Sequence, residues 1–449
     1  MRALNSRPYL FVDETLCDRH SGTALRLHEP RRENVAMVTD APWEGPTSAY
    51  FTVVDAGDHF FMYYRGSSSA NDYVGQLTCV AESDDGIEWK RRLVWQHTVN
   101  GSEANNIIWT NEHDISHNFG AFFDDNPESD SDARFKALGG LKRGGLYALG
   151  SPDGVRWHII GDSPVVTEGD FDSLNQAFWD SERGQYVCYL RQSRDHIRSV
   201  RRCVSDDFVT WSAPEWLEFG PGTGAPNADS ALEHFYTNAI RPYDRDPGLY
   251  LGFPKRFVPE RTRHTSHSDT GVSDCVLIAS RDGINFPRRF REAFIRPGLD
   301  QRNWTERNLM MAPGMIRTSE TEYSLYWSEH YRHHDHRIQR GTIRVDGFAS
   351  LYAGFPGGEM VTKPVRLDGD MMVLNMSTSA AGSVRVEIQN ADGKPIDGFT
   401  MDNADPLFGD DIERAVTWNG TSDMRKLRGE TVRLRIALTD ADVFSISSI

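Results

Sequence analysis

Glu44, Asp172 and Glu233 stand 128 and then 61 residues apart, and each falls where an inward-running strand would begin. Cleaving an acetal C–O bond takes two carboxyl groups, one protonating the departing oxygen while the other attacks the carbon or activates water. A third carboxylate can tune them, because like charges raise a carboxyl pKa and nearby guanidinium groups lower it. On this reading Glu44 is nucleophile or base, Asp172 is the tuner and Glu233 is the acid. With 65 acidic residues in the chain, any single one is ordinarily solvated or ion-paired, so position must select these three; Asp40 and Asp124 are lesser rivals. Trp43, Tyr236 and Trp304 lie beside them and offer faces for a sugar ring or for packing between sheets. Arg65, Arg191 and Arg256 recur at one position of the repeated unit and offer planar forks for hydroxyls or an anionic group. If those arginines are unpaired, the ligand is anionic. His117, Asn118, Asn175 and Glu306 complete the candidate binding set. His330, His333, His334 and His336, with His264 and His267, are irregularly spaced for a metal site and read as a polar rim. No metal and no cofactor are expected.

The elements that must position these residues appear as a repeat. Ser83-Asp84-Asp85-Gly86-Ile87-Glu88-Trp89 is echoed by Ser151 to Trp157 and by Ser280 to Phe286, with a degenerate copy from Ser205 to Trp211. Each joins two β-rich runs, so each is a hairpin turn: Asp bonds nearby backbone, Gly accepts positive φ, and the aromatic three residues on plugs the gap to a neighbouring sheet. A second pair of strand-like runs precedes each turn. Units of four antiparallel strands, five times over with no helical pattern between them, predict an all-β five-bladed propeller over residues 1–350. The fifth unit reads as one strand short, and Tyr9-Leu10-Phe11-Val12 is expected to complete it. Alternating runs at 371–375, 384–388 and 430–437 predict a β-sandwich over 351–449. In a propeller, the starts of innermost strands and the ends of the next ones open on one face. That rule gathers Glu44, His117, Asn118, Asp172, Glu233, Glu306 and Arg307 with Arg65, Arg191, Lys255, Arg256, Glu329 and His330.

Composition bounds the partners. A net charge of -16 repels a phosphate backbone, so nucleic acid is not expected. No run of 18 apolar residues argues for a membrane span, and Met1 to Leu16 lacks the pattern of a signal peptide; the expected location is the cytoplasm, or outside the cell if a leader has been removed. Five scattered cysteines form no CxxC pair, and Cys79, Cys188 and Cys275 sit in apolar runs as small buried thiols. Gly139-Gly140 and Gly144-Gly145 are turn punctuation, since no helix pattern follows them.

Through its Ser-x-Asp-Gly-x-x-Trp turns, the Phe171-Asp172-Ser173 segment and the C-terminal alternation, the chain resembles the five-bladed glycoside hydrolases of the invertase-like family 32 and the arabinofuranosidase and xylosidase-like family 43. The resemblance implies a base or nucleophile on the first blade, a tuning Asp two blades on and a Glu acid one blade later. It departs from the family in placing Glu44, within Pro42-Trp43-Glu44-Gly45, where those enzymes carry Asp. What it implies is a glycoside hydrolase acting on a furanoside or related short glycan. Three alternatives stand beside it: a glycoside phosphorylase whose arginines and histidines hold phosphate, a sialidase-like enzyme with Tyr236 as nucleophile, and a non-catalytic carbohydrate-binding propeller.

Overall fold

The computed structural model describes residues 2–69, 75–220, 233–264 and 270–449. Among the described residues, nearly all regular structure is β, with only short 3-10 turns besides, and the chain divides into two units. The larger comprises Pro30–Tyr243 and Pro247–Thr342; the smaller comprises Met1–Glu29, Asp244–Asp246 and Ile343–Ile449.

The larger unit is a succession of antiparallel sheets in a propeller-like order. The first contains Ala49–Asp55, Phe60–Gly66 and Leu77–Ser83, with Lys90–Arg91 and Ile107–Trp109 outside them. The second runs Gly120–Phe123, Phe135–Gly139, Tyr147–Ser151, His158–Ile159, and the third Gln176–Asp180, Gln185–Arg194, Ile197–Ser205, Glu215–Trp216. The fourth is split into two three-stranded halves, His234–Phe235 with Lys255–Val258 and Val272–Cys275, and Arg241–Tyr243 with Asp246–Gly252 and Ile278–Ser280. Pro254 sits at the split and has no N–H for the ladder.

The fifth sheet joins Ile316–Arg317, Glu322–Glu329 and Arg337–Arg344 to Arg31–Val38. This corrects the expectation for Tyr9 to Val12. Tyr9 and Leu10 pair instead with Ile446 and Ser445 of the smaller unit. The reason is burial: Tyr9, Leu10, Phe11 and Val12 are enclosed throughout, which suits an interior strand. An outermost strand faces water, and Arg31-Arg32-Glu33-Asn34 supplies that.

The repeated turns have the expected construction. Ser83 Oγ accepts the Gly86 N–H at 2.9 Å, and Asp85 Oδ1 accepts the N–H groups of Ile87 and Glu88 at 2.7 and 2.9 Å. Ser151 and Asp153, and Ser280 and Asp282, repeat this with Gly154 and Gly283. The glycines have φ of 70°, 74° and 77°, whereas the degenerate copy holds Phe208 at 65°. Each glycine carbonyl also receives a tyrosine hydroxyl from another sheet: Tyr63 to Gly154, Tyr189 to Gly283, and Tyr326 to Gly86, the last linking the fifth sheet to the first. Trp157, Phe286 and Trp89 pack edge-on against those same tyrosines. At the inner strands, half-buried Arg241 donates to the carbonyls of Ala177 and Ala121 and to Gln176 Oε1. That one guanidinium holds the fourth sheet to the third and second, and burial lowers its pKa to about 10.

The smaller unit is a ten-stranded network whose backbone is the pairing of Met372–Asn390 with Thr431–Ser448. The runs expected at 371–375 and 384–388 are one 19-residue strand with a register shift between Thr378 and Ser383. Val432, Leu434, Ile436 and Leu438 alternate inward, joining Leu4, Tyr9, Phe11, Trp418 and others in one apolar core. The division thus differs from a boundary at 350, because the first 29 residues supply strands and core to the C-terminal unit.

Candidate active site

Asp172 sits on a strained turn. Phe171 before it has φ of 53°, a region costing a non-glycine residue about 1–2 kcal/mol. Two side-chain amides hold that conformation: Asn118 Nδ2 and Asn175 Nδ2 both donate to the Phe171 carbonyl, the latter at 3.1 Å. Asn118 is itself anchored on both sides of Gly140, and Ser173 Oγ donates to the Tyr236 carbonyl at 2.7 Å. The strain lifts the Asp172 carboxylate into a cavity of about 550 Å³ that it shares with Arg191, Arg198, Lys142, Arg143 and Asp170. Its side chain keeps 41% of its exposure.

His117 Nε2 lies 2.9 Å from Asp172 Oδ1. Its Nδ1 accepts from Arg65 Nη1 at 3.3 Å and stands 2.9 Å from the Gln76 amide. A ring nitrogen accepting from Arg65 leaves the proton on Nε2, so His117 donates to Asp172. Turning the Gln76 amide over would point its NH2 at Nδ1; the amide nitrogen otherwise finds no partner among the described residues. Burial is the largest influence on His117 and lowers its pKa to about 4, so it is neutral at pH 7. Burial alone would raise Asp172; the His117 hydrogen bond and the charges of Arg191 and Arg307 outweigh it and hold the carboxyl at about 2. Asp172 is therefore ionised, with Oδ2 facing Arg191 Nη2 at 3.8 Å.

Around this pair lies an aromatic and cationic shell. Tyr50 stacks obliquely on His117 at 5.5 Å and takes Arg65 over its face at 4.9 Å. Tyr236 has Lys255, Arg198, Arg191 and Arg307 within 3.8, 5.1, 5.6 and 6.0 Å of its ring centre. Arg307 donates to Tyr331 Oη at 3.0 Å, and buried Lys255 donates to the Glu306 carbonyl at 3.2 Å. Burial, then the Arg307 charge, pushes the Lys255 ammonium well below its usual range, while the Glu306 and Asp172 charges oppose that. Glu306 Oε1 accepts from Arg332 at 2.7 Å, and Oε2 accepts no hydrogen bond among the described residues.

Asp172, His117, Arg65, Arg191, Tyr236 and Glu306, with Asn118 and Asn175 beneath, are thus brought together. Glu44 is not. Its side chain has no exposure, and its oxygens are filled by Tyr64 Oη at 2.5 Å, by Arg91 at 2.9 and 2.7 Å and by the Ala41 N–H. A carboxylate so enclosed cannot reach a substrate, which overturns its role as nucleophile or base. Trp43 belongs to the same knot through Nε1 to Asn106 Oδ1 at 2.7 Å. Glu233 lines a different cavity, with Arg256 and Trp304, of about 700 Å³. Its oxygens are taken by Arg256 and Arg288, and Arg256 also grips Asp274, so neither Glu233 nor Arg256 joins the Asp172 cavity. His330 is buried between Asp300 and Asp335 at 2.9 Å from each, not at a rim. His267 lies outside the described residues.

Tyr50, Tyr331, Arg198 and Gln76 were missed by the strand-end rule. Tyr331 follows the polar Glu329-His330 strand end as an isolated aromatic, a usable signal; Tyr50, next to Phe51 in an apolar run, and Arg198 and Gln76 carry none.

No known sequence-family profile matches this chain, and no curated protein matches it. Solved structures similar to it include five-bladed propeller glycoside hydrolases and phosphorylases at low identity. One is a member of the GH130 family of mannoside phosphorylases, described as containing glycoside hydrolases that target β-1,2 mannosidic linkages in Candida mannan: 13% identity, TM-score 0.45, covering 71% of this chain and 94% of that one. Another is the Bombyx mori GH32 β-fructofuranosidase, at 10%, 0.40, 94% and 94%. A third is an N-acetylgalactosamine deacetylase from F. plautii, at 12%, 0.47, 72% and 96%. At such scores these are likenesses only, and they say nothing of this chain's reaction.

Proposed function

We propose that this protein is a glycoside hydrolase whose reacting carboxylate is Asp172. The observation that supports this is an ionised, solvent-reachable carboxylate raised on strained backbone and oriented by a neutral histidine, lining an open cavity large enough for a sugar. Asp172 Oδ2 acts on the anomeric carbon, directly or through water. Glu306, with Oε1 on Arg332 and Oε2 enclosed, does not line this cavity, so the departing oxygen takes its proton from water. The C–O bond to the leaving group breaks, that oxygen takes a proton, and water supplies the hydroxyl left on the anomeric carbon. This replaces the pairing of Glu44 with Glu233. The same reading takes the larger unit as a five-bladed propeller and residues 351–449 as a β-sandwich, supported by the inward alternation of Val432, Leu434, Ile436 and Leu438.

The test is hydrolysis of a panel of chromogenic furanosides and pyranosides, with and without phosphate, by wild type and Asp172→Asn. Loss of turnover by about 10³-fold or more in Asp172→Asn, with the melting temperature kept, is the expected result. A protein that binds glycans yet leaves every bond intact would sink the reading in favour of a binding module. Absolute dependence on phosphate would favour phosphorolysis, a second reading supported by the cationic shell about Tyr236.

A further inference from the structure

In a chain of net charge -16, cations have abundant carboxylates to pair with, yet four around the Asp172 cavity direct their hydrogen bonds to neutral groups and a fifth, Arg191, donates none among the described residues. Arg65 donates to the carbonyls of Thr47 and His117, Arg198 meets His234 Nδ1 at 3.3 Å, Arg307 bonds the Tyr331 hydroxyl, and Lys255 bonds a carbonyl. Arg191 is the extreme case. It is 8% exposed and lines the cavity, and its guanidinium donates no hydrogen bond among the described residues; its nearest carboxylate oxygen is Asp172 Oδ2 at 3.8 Å. The buried Nε atoms of Arg65 and Arg198 also lack partners among the described residues. Glu306 does not neutralise this group, being engaged by Arg332. Asp172, with Asp170 beside it, supplies only part of the counter-charge; desolvated cations in excess of their counter-ions are costly, and a ligand that brings a further anion relieves that cost.

We propose that the sugar ring seated over Asp172 carries a carboxylate, bound by Arg191 with Arg198 and Arg307 beside it, so that the substrate class is a uronic-acid glycoside. This rests on the Asp172 cavity being a glycan site. The charge count favours a monoanion: ionised Asp172 repels a phosphate dianion about twice as strongly as a carboxylate at equal distance. A planar guanidinium matches a carboxylate with two parallel hydrogen bonds.

Two measurements on the full chain test it. The first compares kcat/KM for 4-nitrophenyl glucuronides and galacturonides with the corresponding glucosides and galactosides. A preference of about 100-fold or more for an acidic member is expected. It should collapse in Arg191→Gln and survive in part in Arg191→Lys. The second is calorimetric titration of the wild type with glucuronate, galacturonate, glucose, galactose and inorganic phosphate, which needs no turnover and no variant. Binding of a uronate without cleavage of any glycoside supports the acidic ligand while removing the hydrolase reading. Neutral sugars bound and cleaved as well as acidic ones would overturn the proposal and leave the hydrolase standing. Failure of every uronate to bind, or tighter binding of phosphate coupled to phosphate-dependent turnover, would overturn it as well.

Discussion

Asp172 and Glu44 are both carboxylates beside an arginine, and what encloses them separates their roles. Glu44 fills every acceptor site within its own sheet, so Glu44→Gln is expected to lower stability by about 3 kcal/mol, as for a broken buried ion pair, read as a fall in melting temperature. For Asp172 the sensitivity lies in its support: Asn175→Ala releases the Phe171 carbonyl, and kcat is expected to fall about 10- to 100-fold with KM little changed. Restoring the amide with Asn175→Gln is expected to recover part of it, which mere loss of fold would not. The buried histidines set a pH limit. His117 and His336 are held neutral, chiefly by burial, with pKa values near 4 and 3, below the unfolded value near 6.5. Their unfolded forms bind more protons below pH 6.5, so stability falls as pH drops from about 6.5 towards 4, by about 3 kcal/mol per histidine. Thermal melts across that range check it, and His336→Gln is expected to flatten the slope. Strand-end position in the sequence brought Asp172, His117, Arg65 and Arg191 to one place. It could not separate them from Glu44, because the distinction rests on Arg91, 47 residues further along the chain and invisible to any local pattern.

The hairpin turns were legible because their chemistry is local: a serine, an aspartate and a glycine within four residues bond to one another wherever they occur. What they join was less so. A Cβ at Gly154 would stand 2.6 Å from Tyr63 Oη, the hydroxyl that bonds the Gly154 carbonyl, in backbone with φ of 74°. Gly154→Ala is therefore expected to cost about 2 kcal/mol or more in denaturant unfolding. Gly144→Ala, whose nearest neighbour atom lies 4.0 Å away and whose φ is not positive, is expected to change stability by less than about 0.5 kcal/mol. The closing strand of the fifth sheet was misplaced for a reason at this same scale. Apolar Tyr9 to Val12 reads as a strand more strongly than Arg31 to Val38, but hydrophobicity marks depth of burial, and an outer strand has little.

Across the whole chain, the smaller unit draws on both termini. Removing residues 1–29 strips Leu4, Tyr9, Phe11 and Leu16 from its core, roughly 6–12 kcal/mol of apolar burial, comparable to the entire stability of a domain. Such a truncation is expected to leave residues 343–449 rapidly cleaved in limited proteolysis. Arg241 is the corresponding residue of the larger unit, and Arg241→Met, which abandons the acceptors at Ala121, Ala177 and Gln176, is expected to broaden its unfolding transition. The pairing of Arg31–Val38 with Arg337–Arg344 has a consequence in time. On the ribosome, at roughly 5–20 residues per second, the early strand must wait about 15–60 s for its partner. Throughout that interval the fifth sheet has no existence. A strand that waits so long in water is better made of arginine, glutamate and asparagine than of leucine, so the polarity that hid it from a hydrophobic reading is also what keeps the nascent chain from sticking to its neighbours.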